Sequence, residues 1–142
     1  MAEPLSIGAS IIAVLQLTAT VYKYVNCVKE SSQERSRLRD GIASACTPLY
    51  MLRDRLDEAG QDASLLSSVQ SLGGQNGPLD QFKKLLESLA DRLASVDSKY
   101  RKLGGLRRNL GWPFRKDEVE SILRAMESQK SLFHLALQND TL

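Results

Sequence analysis

LSIGASIIAVLQLTATVY, residues Leu5 to Tyr22, runs for 18 residues without a charge. Its apolar positions recur at helical spacing: Ile7, Ile11, Val14, Leu15, Val21, Tyr22 and Val25 fall on one side, and Ser6, Ala9, Ala13, Gln16, Thr20 and Lys23 on the other. Pro4 suits a first helical turn, and Glu3 stands where a helix dipole favours an anion. An amphipathic helix is expected here, continuing to about Val28, with a second face that is small and weakly polar rather than charged.

Downstream, Ser31 with Glu34 reads as a capping box opening a second helix that ends near Ala59, before Gly60. Leu38, Ile42, Ala45, Leu49, Leu52 and Leu56 alternate three and four apart, giving it a narrow bundle-facing stripe. Pro48 lies inside that stripe, and its ring is expected to kink or split the helix. Residues 60 to 78 read as loop, with one helical turn at Leu65 to Leu72. Pro78 then starts a helix whose Phe82, Leu85, Leu86, Leu89, Leu93 and Val96 form the cleanest core stripe in the chain. Residues 99 to 116 form a basic connection containing Gly104, Gly105 and the Trp112-Pro113-Phe114 tripeptide, and a last helix carries Val119, Ile122, Met126, Phe133 and Leu137. The expected fold is all-α, a bundle of four to five helices with a hydrophobic N-terminal helix.

Composition agrees. With 142 residues, 42% hydrophobic, the chain is the size of a single domain with one core, spanning 1–142. The net charge of +2 is too small for the whole chain to act as a polycation, but its distribution is uneven. Lys99, Arg101, Lys102, Arg107, Arg108, Arg115 and Lys116 are seven basic residues with no acid among them, which leaves the rest of the chain at −5. Two cysteines, Cys27 and Cys46, are no disulfide framework, so a reducing compartment is expected. The leading apolar run lacks the positive flank of a signal peptide.

Catalytic chemistry finds little purchase. The single histidine, His134, has no matching nucleophile and orienting group, and it reads as a packing residue near a helix end. A zinc site needs clustered ligands, which two cysteines 19 apart do not supply. The Gly73-Gly74 and Gly104-Gly105 pairs lack the lysine and hydroxyl ending of a phosphate loop. No enzymatic activity, cofactor or metal is expected.

The first helix is the informative element. At 1.5 Å per residue, extension to Val25 with Lys23 snorkelling gives about 31 Å, against a bilayer hydrocarbon thickness of about 30 Å. The eight residues Leu5, Ile7, Ile11, Ile12, Val14, Leu15, Leu17 and Val21 favour insertion by about 2.4 to 4.8 kcal/mol, which Gln16 and the Ser and Thr hydroxyls partly offset. Such a segment is marginal in both solvents. A constitutive anchor calls for a longer apolar run, and an ordinary surface helix calls for Lys and Glu outside. The basic island suits a solvated connection or, functionally, anionic lipid headgroups, each cation adding about 1 kcal/mol near the surface. No motif supports nucleic-acid binding. Trp112 fits either a membrane interface or a cover for the bundle end.

Two stretches resemble a known family. Ala2-Glu3-Pro4-Leu5-Ser6-Ile7-Gly8-Ala9-Ser10-Ile11-Ile12-Ala13-Val14-Leu15-Gln16-Leu17, and Leu110-Gly111-Trp112-Pro113-Phe114 leading into Val119 to Leu137, are similar to the fungal N-terminal domain of STAND proteins, the HeLo-like domain. The resemblance implies a helical effector domain of NLR-like immune receptors. Related domains attack membranes through an N-terminal segment after oligomerisation, as do the similar bundles of plant and animal necroptosis executioners. Carried onto this chain, that segment is Leu5 to Tyr22, with Glu3 ahead of it as the acidic residue. No receptor module lies within these residues, so the resemblance implies an excised domain or a small protein activated in trans.

The expected function is therefore a cytoplasmic cell-death effector that relocates to the plasma membrane. Its implied partners are anionic lipids, further copies of itself, and an NLR-like receptor or amyloid-type activator; nucleic acid is not among them. The alternative is a soluble interaction module whose first helix stays internal.

Overall fold

The computed structural model describes residues 4–27, 33–59, 63–102 and 112–140. Five helices account for nearly all of them: α1 (Pro4–Cys27), α2 (Gln33–Ala59), α3 (Ala63–Gln70), α4 (Pro78–Lys102) and α5 (Lys116–Asp140). The chain is an all-α bundle, and no strand occurs among the described residues.

The stripes read from the sequence are the faces that meet. Leu38, Ile42, Ala45, Leu49 and Leu52 of α2 are buried, as are Phe82, Leu86, Leu89 and Leu93 of α4 and Val119, Met126, Phe133 and Leu137 of α5. Phe82 meets Phe133 edge to face, with centroids 5.7 Å apart, and ties α4 to α5 at the centre of the core. Leu56, Leu85 and Ile122 are only partly buried, at the stripe edges.

Three expectations need correction. Of the kink or split expected at Pro48, the split does not occur: α2 is one helix across it. A proline inside a helix costs about 3 kcal/mol, while each large aliphatic neighbour in the stripe contributes about 1.5 to 3 kcal/mol on burial, so packing of Ile42, Leu49 and Leu52 holds the helix through the defect. The single turn expected at Leu65 to Leu72 is a true helix, α3, which buries Val69 and is followed by a turn that buries Leu72. The basic connection is shorter than 99–116, because Lys99, Arg101 and Lys102 belong to the last turn of α4 and Lys116 begins α5. The Ser31 cap falls outside the described residues.

The packing order explains what α1 can do. Partners climb α2 and α5 together: Arg37 with Glu120 at 3.7 Å, Gly41 beneath Leu123, and the Lys130 Nζ donating to the Ser44 Oγ at 2.6 Å. The two helices therefore run parallel, and Gly41 lets them close, since a Cβ there would lie 2.5 Å from the Leu123 Cδ2. Helix α5 packs on α2, α3 and α4, and α1 on the same three, while among the described residues α1 and α5 do not meet. Thus α1 and α5 occupy opposite corners. The contacts of α5 with α2, α3 and α4 involve no residue of α1.

Candidate membrane-active helix

Helix α1 buries Ile7, Ile11, Val14, Leu15, Thr18, Val21 and Val25. The spacing of three and four fixes which side faces the bundle, and five of the eight proposed inserting residues lie on it. The others divide. Leu17 is partly buried against the core, Ile12 is 44% exposed, and the side chain of Leu5 lies outside the described residues, as does Glu3. Tyr22, assigned to the core side by the helical wheel, is instead exposed at 36%. It sits at the edge of the apolar arc, where a large ring with a hydroxyl can keep its polar end in water.

The outer face is built from Ala9, Ser10, Ile12, Ala13, Gln16, Ala19 and Thr20, all exposed, and the first charged residue along it is Lys23. The stretch Ile7–Asn26 is long and apolar enough to cross a membrane by length and composition, and 33% of it is buried within the bundle. The same length and composition occur in core helices of soluble proteins.

Sequence reasoning counted the hydroxyls of this helix against insertion. The geometry reduces that cost. Thr18 donates from its Oγ1 to the carbonyl of Val14 at 2.8 Å, and Thr20 donates to the carbonyl of Gln16 at 3.2 Å. A hydroxyl bonded to its own helix, four residues back, carries its partner into whatever medium the helix enters. The signal is a threonine inside the helix, whose hydroxyl shares the carbonyl four residues back with the backbone amide, legible in principle but common to most helices.

At the middle of α1, Thr18 meets Cys46 of α2. Burial pushes the Cys46 thiol up from its ordinary value, against a smaller opposing hydrogen bond with Thr18. This thiol is a packing group rather than a nucleophile.

The basic island divides as well. The side chains of Lys99, Arg101 and Lys102 and all of Arg107 and Arg108 lie outside the described residues. Arg115 and Lys116 are exposed, and the Arg115 Nε lies 3.3 Å from Asp117 and 3.6 Å from Glu118, within its own helix start. Trp112 is half-buried against the core, its ring 5.2 Å from Phe114, and so covers a bundle edge in this state.

No local pattern points to Arg92. It reaches from α4 over the Phe114 ring at 4.3 Å, donates to the Pro113 carbonyl at 2.6 Å and pairs with Glu118. The Glu118 carboxylate also accepts from the Arg115 amide at 3.0 Å. The Arg92 guanidinium first, and that amide second, hold Glu118 below the usual carboxylate range. One cation thus fixes the entry into α5, where the island ends. Its spacing from its partners, 21 to 26 residues, hides it from any local pattern.

Compared with known proteins, the chain matches no family model, and neither the curated proteins nor the solved structures give a significant similarity.

Proposed function

We propose that this chain is a membrane-targeting effector domain that acts after oligomerisation, its first helix exchanging bundle contacts for lipid, and that it serves cell-death signalling of the fungal NLR-like kind. The observation that carries the reading is a bilayer-length helix at one corner of a bundle, uncharged from Leu5 to Tyr22, with Ala9, Ile12, Ala13, Gln16 and Thr20 facing out. The resemblance of Ala2 to Leu17 and of Leu110 to Phe114 to the HeLo-like domain supports the biological setting.

The energetics define the switch. Ile7, Ile11, Val14, Leu15 and Val21 are buried, and at about 1.5 to 3 kcal/mol each they restrain the helix by several kcal/mol. Release therefore needs the binding energy of partners. Clustering by an NLR-like receptor or an amyloid-type activator supplies it, and anionic headgroups gathered by Arg115, Lys116 and the rest of the island supply more. In this reading the domain rests in the cytoplasm and moves to the plasma membrane.

The rival reading, a soluble recruiter with α1 permanently internal, draws on the exposed Tyr50, Met51, Leu132 and Leu135 of α2 and α5. Liposome leakage separates them. Ile11→Asp and Leu15→Lys put a charge on the apolar face of α1 and are expected to abolish leakage from vesicles containing phosphatidylserine. Unchanged leakage removes the mechanism. Flotation with the same vesicles is expected to require residues 1–22, and a recruiter stays in the soluble fraction.

A further inference from the structure

Helices α1 and α2 share an outward face. Only residues 28–32 separate them, too few to cross the length of a helix, so the two run antiparallel, and the hydrogen bond between Thr18 and Cys46 sets their level. On α2, Arg37, Gly41 and Ser44 turn to α5, so the opposite flank, that of Cys46, is the side of α1 and of Tyr50 four residues on. On α1, Ser10 and Ala13 border a cleft against Leu79, Asp80 and Lys83 of α4, which leaves Ile12, Ala19 and Tyr22 on the flank beside α2.

This face is built as protein interfaces are, with an apolar middle and a charged rim. The middle is uncharged and small, with Gln16 and Ala19 on α1 and Ala43 and Thr47 on α2, all exposed. Ile12 and Tyr50, each 44% exposed, and Tyr22 stand around it, and the Arg53 guanidinium lies 5.1 Å from the Tyr50 ring centre. Charge is confined to the two ends and differs between them: Lys23 and Arg39 outnumber Asp40 at one, and Asp54 and Asp57 outnumber Arg53 at the other. Over the 24 residues of α1 the face is about 36 Å long and, at about 10 Å for each helix, about 20 Å wide. It offers about 700 Å² per copy, against about 800 Å² per partner in an interface of standard size.

We propose that a second copy of this chain covers the face in the resting protein, the two copies related by a two-fold axis with their helices antiparallel. A copy laid end for end sets the basic end of each on the acidic end of the other, whereas a parallel copy sets like charges together. An axis midway between Cys46 and Thr47 opposes Arg39 to Asp54, and Tyr50 to Ala43, a ring to a small residue. The pairs these charges make within α2, Arg39 with Asp40 at 3.5 Å and Arg53 with Asp54 at 3.2 Å, are surface contacts between adjacent residues and exchange readily for a partner's. An anionic membrane laid on the same face would meet Asp54 and Asp57 as well as Lys23 and Arg39, so charge favours a copy over a lipid surface. The pairing shelters the uncharged outer face of α1, and it stands apart from the membrane reading because it needs no lipid.

Sedimentation of the full chain tests it. The unaltered protein is expected to approach twice the 15.7 kDa of one chain as its concentration rises. Tyr50→Glu and Ile12→Glu, both at exposed positions, are each expected to weaken association by about tenfold or more with helical content unchanged. Arg39→Glu and Asp54→Arg are each expected to weaken it, and the two in one chain to restore it, because each then meets its opposite across the axis. Damage to the fold does not produce such a rescue. A chain that stays single up to about 100 µM overturns the proposal, and so does association that survives both Tyr50→Glu and Ile12→Glu. Failure of the paired swap to restore association overturns the antiparallel copy. Capture on phosphatidylserine vesicles that is lost in Tyr50→Glu, with no association in solution, gives the face to lipid and overturns the pairing.

Discussion

Gly77 and Glu118 are the residues at which local chemistry decides most. At Gly77 the obstacles to a Cβ are the carbonyl oxygens of Gly74 and Leu72, both 3.0 Å away, and backbone cannot swing aside as a side-chain end can. Gly77→Ala is therefore expected to destabilise the chain by about 1 to 3 kcal/mol in urea unfolding, with an unchanged dependence on denaturant. Glu118 gives a pH signature. Its carboxyl is held down by Arg92 and by the Arg115 amide, so it binds its proton less readily folded than unfolded. A group of this sign contributes stability above its unfolded value, and the contribution disappears as the pH falls through the folded one. Glu118→Gln keeps the shape and loses the charge. The gap in urea midpoint between the two proteins is expected to be widest near about pH 7 and to narrow as the pH falls below the usual carboxylate range. A gap that grows on acidification would contradict the role assigned to Arg92.

Helices were legible in this sequence to the degree that one face alone decided them. The α4 stripe from Phe82 to Leu93 and the α2 stripe from Leu38 to Leu52 are buried as read, because three-and-four spacing leaves a helix only one side to hide. Pro48 does not split its helix because local propensity is outweighed when the residues on both sides are packed. Residues 63–70 misled for a related reason: their serines suit a loop, yet Val69 beneath them is fully buried and draws the segment onto the bundle. Of the candidate site, the buried face of α1 was readable, and the pairings that fix it were not. Gly73 under Ile7 and Arg92 over Phe114 join residues far apart in sequence, and no period encodes them. The contact of α4 with α5 can be weighed directly. In a double-mutant cycle of Phe82→Leu and Phe133→Leu, each single change is expected to destabilise the fold, and the pair to couple by about 0.5 to 1.5 kcal/mol. Strict additivity would mean that the edge-to-face contact adds nothing beyond area.

Across the whole molecule, the opposed corners of α1 and α5 would set the cost of activation in the proposed function. Since α5 holds α2, α3 and α4 without α1, release of the first helix leaves those contacts in place but uncovers the stripes of α2 and α4 on which α1 lay. Those stripes are too apolar to stay wet, so the opened form seeks lipid or a second copy, and opening and assembly become coupled. Turning a population of about one open molecule in a hundred into about one closed in a hundred takes roughly 5.5 kcal/mol of differential binding, which several contacts made at once can provide and a single weak contact cannot. Enforced clustering is thus the decisive perturbation. Fused to an inducible oligomeriser and expressed in a fungal host, the chain is expected to move from cytoplasm to plasma membrane and to kill on induction. Leu15→Lys, tested in the same fusion, is expected to cluster in the cytoplasm without death, because assembly remains possible while a buried charge denies the helix its lipid face. If the unaltered fusion clusters and stays cytoplasmic, then α1 remains inside the assembled bundle, and the exposed Tyr50, Met51, Leu132 and Leu135 become the surface through which the domain acts.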